Sequence, residues 1–163
     1  MKKPIFLLIP LCLLLGLSSC KKSSPKTTNV AGTLTVTVGG KAQTFNFGAA
    51  AHLDNTGGVN TLGIIGVQST GTANSLIITV SSSGPITAKS YTDADSEAQL
   101  SYTLASGAAY QDDGTGGTTS TVTIKSITST NVQGTFSGTL MLINGTGAAT
   151  QTLTNGSFNL NIK

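Results

Sequence analysis

The sequence predicts an all-β protein, either a single antiparallel β-sandwich or a meander barrel of about 8–9 strands. Its 163 residues include 27 Thr, 18 Ser and 20 Gly, and only 9% are charged, against about 25% in average soluble domains. Apolar residues recur at every second position, and no segment sustains an apolar stripe of helical period. Because Thr favours strands and Gly favours turns, many short strands joined by tight turns are expected.

The predicted strands begin with a hairpin at the start of the domain. Apolar residues alternate with threonines over residues 33–38, Gly39-Gly40 predicts the turn, and Phe45 and Phe47 lie on the returning strand. Further strands are predicted where alternation resumes between turn signals, over residues 62–67, 76–80, 86–91, 100–104, 122–125, 132–142 and 153–162. The short connections favour a meander over long crossovers.

The last predicted strand contains a change of phase. Its apolar positions change parity across Asn155-Gly156, between Leu153 and Phe158. Either a two-residue hairpin or a β-bulge within one long strand explains the change, and we favour the bulge. A bulged strand over residues 150–163 would pair with residues 132–143 along its full length. We expect Gly134 and Gly138 to relieve the matching strain on that partner strand.

The first twenty residues indicate secretion and lipid attachment. Lys2 and Lys3 precede an apolar run over residues 5–17, which is shorter than the ~17–25 residues of a spanning helix and is typical of a signal peptide. Leu17-Ser18-Ser19-Cys20 resembles the bacterial lipobox, which implies cleavage before Cys20 and acylation of that residue. We therefore predict a signal peptide over 1–19, a lipidated Cys20 with a polar tether over 20–29, and one β-domain over 30–163.

The net charge of +3 belongs to the leader and the tether. Five of the nine lysines precede residue 30, and the domain holds four lysines against six acids, a formal charge of −2. The chain has no arginine, so the sequence argues against nucleic-acid binding. The tether lysines Lys21, Lys22 and Lys26 either contact anionic lipid headgroups or are simply solvated.

The polar residues of the domain offer little catalytic chemistry. Cys12 and Cys20 lie in the leader and the lipobox, so no cysteine remains for a disulfide, a nucleophile or a zinc site. The only histidine is His52, which we interpret as a loop or strand-end residue without a catalytic role. We expect a protein that is not an enzyme and has no catalytic residue, no cofactor and no metal site.

Three groups of residues carry weaker functional hypotheses. One is a set of acids at alternate positions, either calcium ligands completed by acids further along the chain or a solvated turn: Asp93, Asp95 and Glu97, with Asp112 and Asp113. Another is a set of tyrosines, either a ligand platform or half-buried residues with exposed hydroxyls: Tyr91, Tyr102 and Tyr110. The third is a pair of T-x-T-x-T rows, either a surface for ice or a polymer or ordinary solvent-side residues: Thr33, Thr35 and Thr37, and Thr119, Thr121 and Thr123.

The C-terminal third carries a family resemblance, on Val122-Thr123-Ile124, Gly134-Thr135-Phe136 and Thr154-Asn155-Gly156-Ser157-Phe158. Together with the lipobox and the early Gly-Lys hairpin, these motifs resemble a family of Bacteroidota lipoproteins of unknown function. Members often have Trp where this chain has Phe45. The resemblance implies a lipid-anchored envelope protein, and it supplies no catalytic residues.

Localisation and function follow as expectations. Surface-displayed lipoproteins of that group tend to carry acids after the lipidated cysteine, whereas Lys21 and Lys22 stand here. We therefore expect a position in the outer membrane that faces the periplasm. The expected function is a non-enzymatic binding or interaction module with a protein or glycan partner. The alternative is a calycin-like carrier of a small apolar ligand or glycan, which would need an interior cavity of roughly several hundred Å³.

Overall fold

The computed structural model describes residues 32–68, 73–112, 114 and 116–163, and these form β-strands and connections without a helix. The predicted signal peptide and Cys20 lie outside the described residues. The described part contains eleven strands: β1 Thr33–Val38, β2 Lys41–Thr44, β3 Phe47–Thr56, β4 Val59–Val67, β5 Ser75–Ser82, β6 Ser90–Thr92, β7 Ala98–Thr103, β8 Ala109–Gln111, β9 Thr119–Ile127, β10 Asn131–Asn144 and β11 Thr150–Asn161.

The strands form one curled antiparallel sheet, which confirms the predicted all-β fold in its meander form. Nine strands follow the path β2-β1-β11-β10-β8-β7-β5-β4-β3, while β9 pairs with β10 and β6 pairs with β9. The two ends of the path, β2 and β3, are separated in the chain only by Phe45 and Asn46, so the sheet curls back on itself. Across the remaining gap, the Lys163 N–H donates to the Ala51 carbonyl at 3.0 Å.

The strand predicted over residues 86–91 is formed only as β6, Ser90–Thr92, and two further features of the strand pattern differ from the prediction. The returning strand is split, with β2 paired to β1 and β3 paired to β4. β3 extends to Thr56 through residues that do not alternate in polarity, because its hydrogen bonds to β4 maintain it. The other feature is β8, a strand of three residues (Ala109–Gln111) that pairs with β7 and β10. A strand of three residues is too short to show an alternation of apolar and polar residues in the sequence.

The predicted bulge is confirmed. Phe136 of β10 lies opposite Gly156, whereas Gly138 lies opposite Leu153, so β11 carries one extra residue between these pairs. Asn155 takes the left-handed conformation there, with φ of 52°, which Asn adopts more readily than most residues. The β1 side of β11 shows a register shift at the same level. The extra residue keeps both Leu153 and Phe158 on the buried face.

Close packing accounts for the glycines beside the bulge, which corrects the expectation that Gly134 and Gly138 relieve strain. Gly134 and Gly156 make room for aromatic rings, and a Cβ atom at Gly138 would meet Leu100 Cδ1 at 2.9 Å. Gly134 lies opposite Phe158, and Phe136 lies opposite Gly156. A Cβ atom at Gly134 would collide with the Phe158 ring, and one at Gly156 would meet the Phe136 ring at 2.7 Å. The two rings stack with centroids 6.4 Å apart. Each Gly-x-Phe motif therefore accommodates the ring of the other.

Apolar side chains fill the inner face of the curled sheet. The largest fully buried ones are Tyr91, Tyr102, Tyr110 and Phe45. Fully burying a large apolar side chain contributes about 1.5–3 kcal/mol, so this interior supplies most of the stabilisation. The network around Gln43 secures the junction of β2, because its Oε1 accepts from Tyr102 Oη at 3.1 Å and from Gln68 Nε2 at 2.9 Å.

Candidate functional site

The three tyrosines belong to the core, which overturns both readings of them. Tyr91, Tyr102 and Tyr110 are each at most 1% exposed, so they form no ligand platform and direct no hydroxyl outward. The Tyr102 hydroxyl accepts from Asn74 Nδ2 at 2.9 Å and donates to Gln43, and the Tyr91 hydroxyl bonds to the backbone of Thr87. Burial raises the pKa of Tyr102 above its usual value.

The acidic turn engages its carboxylates separately. Asp95 Oδ2 accepts from Thr92 Oγ1 at 2.7 Å, and Glu97 pairs with Lys89 at 3.1 Å. Among the described residues, no group of three His, Cys, Asp or Glu side chains is arranged to hold a metal ion. Asp113 lies outside the described residues. The described geometry therefore supports a turn and gives the calcium hypothesis no ligand set.

The turn does border a polar depression of about 270 Å³. Asp93, Glu97 and Asp112 all line this depression. The calcium hypothesis required the loop that carries Asp112 to meet the turn that carries Asp93 and Glu97, and the two do meet here. Asp112 is only 2% exposed, and its Oδ1 accepts the Gly114 N–H at 2.9 Å. Lys89 balances the charge of Glu97. The other residues that line the depression add hydroxyl and amide groups to its carboxylates.

The position of His52 differs from the prediction. It lies within β3, opposite Gly63 of β4, and not in a loop or at a strand end, because the hydrogen bonds of β3 to β4 continue past it to Thr56. Its ring is exposed, and Nδ1 lies 2.8 Å from the Lys163 carbonyl oxygen. The nearby Asp54 carboxylate accepts from the Asn55 N–H and from Thr56 Oγ1. This arrangement ties the C-terminus to β3.

The two T-x-T-x-T rows lie on the same outer face of the sheet. Thr35 of β1 and Thr123 of β9 are joined through Ser157 and Thr135, which are paired residues on the strands between them. With the outer pairs on β2 and β6, they make a hydroxyl row: Thr44, Thr35, Ser157, Thr135, Thr123 and Ser90. At about 4.7–4.9 Å between strands, the row spans roughly 24 Å.

Neighbouring hydroxyls in the row bond to each other. Thr35 Oγ1 lies 2.9 Å from Ser157 Oγ, and Ser90 Oγ lies 2.7 Å from Thr123 Oγ1. The row borders a depression of about 510 Å³ at the bulge, which is lined mainly by Thr and Ser with Asn155 and Gly156. Sequence analysis missed Ser157 and Thr135 as members. Their signal is the middle position of each Gly-x-Phe motif, which faces away from the buried Phe.

A second outer surface is apolar and was also missed. Phe47, Ile65 and Ile77 are 51%, 47% and 40% exposed. Ile65 is paired with Ile77 on one side and with Ala50 on the other, and Phe47 is paired with Val67. We call Phe47, Ile65, Val67 and Ile77 the apolar face. Its signal in the sequence is the two consecutive isoleucine pairs, Ile64-Ile65 and Ile77-Ile78, since strands alternate faces.

Comparisons with known proteins give no further assignment. No protein-family model, curated protein or solved structure matches the chain. Among the described residues, no helix has the length and apolarity needed to cross a membrane. The features of this chain that bear on function are therefore its sequence motifs and its two outer surfaces.

Proposed function

We propose that this chain is a lipid-anchored protein of the bacterial cell envelope whose β-domain is a non-enzymatic binding module. Support for the anchor comes from the order of its parts: two lysines, a short apolar run, and a lipobox-like segment that ends at Cys20. The lysines after Cys20 favour the periplasm-facing side of the outer membrane. The resemblance to Bacteroidota lipoproteins supports the same assignment.

The packed interior favours binding on the outside of the sheet. The Tyr102 and Tyr110 rings lie tilted to each other with centroids 6.3 Å apart, and Phe45 contacts Tyr102 edge-on at the same centroid distance. These side chains occupy the space that a calycin-like carrier would leave for its ligand. The carrier of an apolar ligand or glycan is therefore the alternative, and the outer surface is the preferred binding site.

The observation that carries the proposal is the hydroxyl row beside the bulge depression. Its six hydroxyl-bearing residues and the adjoining Asn155 offer hydrogen-bond donors and acceptors without a formal charge. Such a surface suits a partner that is itself rich in uncharged hydrogen-bonding groups. A glycan of the envelope has that chemistry, so we propose a glycan as the partner class.

Lipid attachment is tested by labelling cells with a radioactive fatty acid. The Cys20→Ala variant should incorporate no label and should accumulate as the uncleaved precursor. Cys12→Ala is the matched control, because this cysteine lies within the leader, and it should be labelled and processed normally. Normal processing and labelling of Cys20→Ala would contradict the anchor.

Glycan binding is tested by pull-down of envelope glycans with the lipidated protein. The Thr135→Val/Ser157→Ala double variant should bind about tenfold more weakly, because two lost hydrogen bonds are each worth ~0.5–1.5 kcal/mol. Thr103→Val, on β7 and away from the hydroxyl row, is the control and should bind normally. An apolar molecule extracted from the purified protein, together with unchanged glycan binding by the double variant, would favour the carrier.

A further inference from the structure

The apolar face is unusual because its side chains add nothing to the interior. The inward positions of the same strands are held by Leu62, Ile64, Leu76 and Ile78, each at most 1% exposed. The outward positions of β4 and β5 nevertheless include Ile65, Val67 and Ile77, which pairing brings together with Phe47, whereas the outward positions of β9 and β11 hold mostly Thr, Ser and Asn. The other strand of that group, β10, exposes Met141 and Ile143 near its end. A surface like the apolar face indicates a contact that removes it from water.

The strands that carry the apolar face have few charged side chains, which favours contact with an apolar environment. β4 and β5 contain no charged residue, and β3 contains only His52 and Asp54. The Asp54 carboxylate already accepts two hydrogen bonds in the β3–β4 hairpin. Lys163 also lies beside β3, where its backbone bonds to Ala51 and His52. Because the apolar face itself carries no charged side chain, its burial would desolvate few ions.

The apolar face begins beside the point where the chain enters the fold. The Phe45 N–H donates to the carbonyl of Leu34, the second residue of β1, at 2.7 Å. Phe47 follows two residues later, and Gly32 precedes Leu34 by two residues. Two residues of strand span about 7 Å, so Phe47 and the start of the described domain lie at the same end of the sheet.

The distance from this point to the proposed anchor is limited by the chain. Gly32 follows Cys20 by twelve residues, which reach at most about 40 Å when fully extended. A membrane that holds the acyl chains of Cys20 is thus within reach of the apolar face. Because the anchor keeps the domain at high effective concentration near the bilayer, a weak contact is enough to populate the docked state.

We propose that the apolar face docks onto the membrane into which Cys20 is anchored, with Phe47, Ile65 and Ile77 inserted at the boundary between headgroups and acyl chains. The proposal rests on the proposed lipid anchor. In the strand path, β7 and β8 separate β5 from β10. Thr44 of the hydroxyl row precedes Phe47 by only three residues, so docking brings the β2 end of the row near the bilayer and leaves its other end, Thr123 and Ser90, free to bind the partner.

A second copy of the chain is a poorer occupant. A stable dimer buries about 1,200–2,000 Å² in total, whereas three half-exposed side chains supply a small part of that. Membrane insertion needs no complementary surface, and aromatic and aliphatic side chains suffice.

The test uses tryptophan as a local reporter, because the chain contains none. Phe47→Trp places it on the apolar face, and Ile143→Trp is the matched control, since the two native side chains are 51% and 52% exposed. The lipidated full chain is reconstituted into vesicles with brominated acyl chains. We expect Phe47→Trp to shift to shorter wavelength and lose more than half of its fluorescence, while Ile143→Trp changes little.

A second variant separates docking from folding. Ile65→Thr/Ile77→Thr keeps β-branched residues at both exposed positions and, added to Phe47→Trp, should abolish the quenching while the protein still floats with the vesicles. Equal quenching of Phe47→Trp and Ile143→Trp, or none of either in protein that floats, overturns docking and leaves the anchor intact. Failure to float overturns the anchor and docking together. A lipid-free, concentration-dependent spectral shift with a dimer mass assigns the face to a second copy and overturns membrane docking.

Discussion

The hydroxyl row and the apolar face lie on the outside of the same sheet and follow the same rule of construction. In both, every second residue packs into the common interior, and the residues between them face outward. On β9 and β11 the outward residues are mostly Thr and Ser, whereas on β4 and β5 they include Ile65, Val67 and Ile77. The comparison shows that the core pattern determines the fold and leaves the chemistry of each outer face to the residues between.

The two surfaces also differ in the free-energy cost of exposing them to water. Four hydroxyls of the row bond to each other in two pairs, and an exposed hydroxyl can also bond to water, so their exposure costs little. Exposed isoleucines gain stability only when another surface covers them. The difference supports opposite roles, with the row directed to a polar partner and the apolar face to the bilayer.

The difference between inward and outward positions is tested by substituting two neighbouring residues of β5, one at a time. Ile78→Thr should lower the free energy of unfolding by about 3 kcal/mol, because it removes buried apolar atoms and buries a hydroxyl. Ile77→Thr should change it by less than about 0.5 kcal/mol, because Ile77 is 40% exposed and Ile78 is 0% exposed. Urea unfolding measures both. Equal effects would show that Ile77 is packed and that the apolar face is not a free surface.

The support beneath the hydroxyl row is tested at Gly134. Gly134→Ala should destabilise the protein by about 2 kcal/mol, because the added Cβ would collide with the Phe158 ring and the Thr123 carbonyl. Gly84→Ala is the matched control, since nothing lies within 4 Å of its Cβ position, and thermal unfolding should hardly change. If Gly134→Ala is as stable as the control, the reciprocal packing of the Gly-x-Phe motifs does not hold.

A smaller loss of stability is expected at Tyr102 of β7, the strand that pairs with β5. Tyr102→Phe should lower the free energy of unfolding by about 1–2 kcal/mol near neutral pH, because Gln43 and Asn74 each lose their hydrogen bond to the Tyr102 hydroxyl. Burial raises the pKa of Tyr102, so the folded state favours the neutral phenol. The stabilisation that results from this preference is complete below the unfolded pKa of about 10, and it is lost as pH rises through the higher folded pKa.

Denaturant unfolding between neutral and strongly alkaline pH checks this linkage. The native protein should lose stability above the unfolded tyrosine pKa, whereas Tyr102→Phe should lose less over the same range. Parallel pH profiles for the two proteins would exclude Tyr102 as the source of the alkaline loss. Because the hydroxyl row contains no titratable group, an alkaline loss of stability would not come from that surface.

Sequence reasoning predicted the bulge better than it predicted the individual sites. The parity change from Leu153 to Phe158 required an extra residue, because both side chains must face the same interior. The tyrosines were misjudged, since burial of a phenol depends on partners such as Gln43 and Asn74 that lie far from it in the chain. His52 was misplaced for a similar reason: the pairing with β4 that extends β3 past it leaves no local pattern.

The sequence by itself determined the all-β class, the meander of short strands and the bulge near Asn155. These follow from periodicity and turn chemistry, which are local properties of the chain. Only the tertiary structure decided that the threonines of β1 and β9 share one row, and that Phe47, Ile65 and Ile77 form one surface. Such neighbours are set by strand order and register, which depend on how the whole sheet curls around its core.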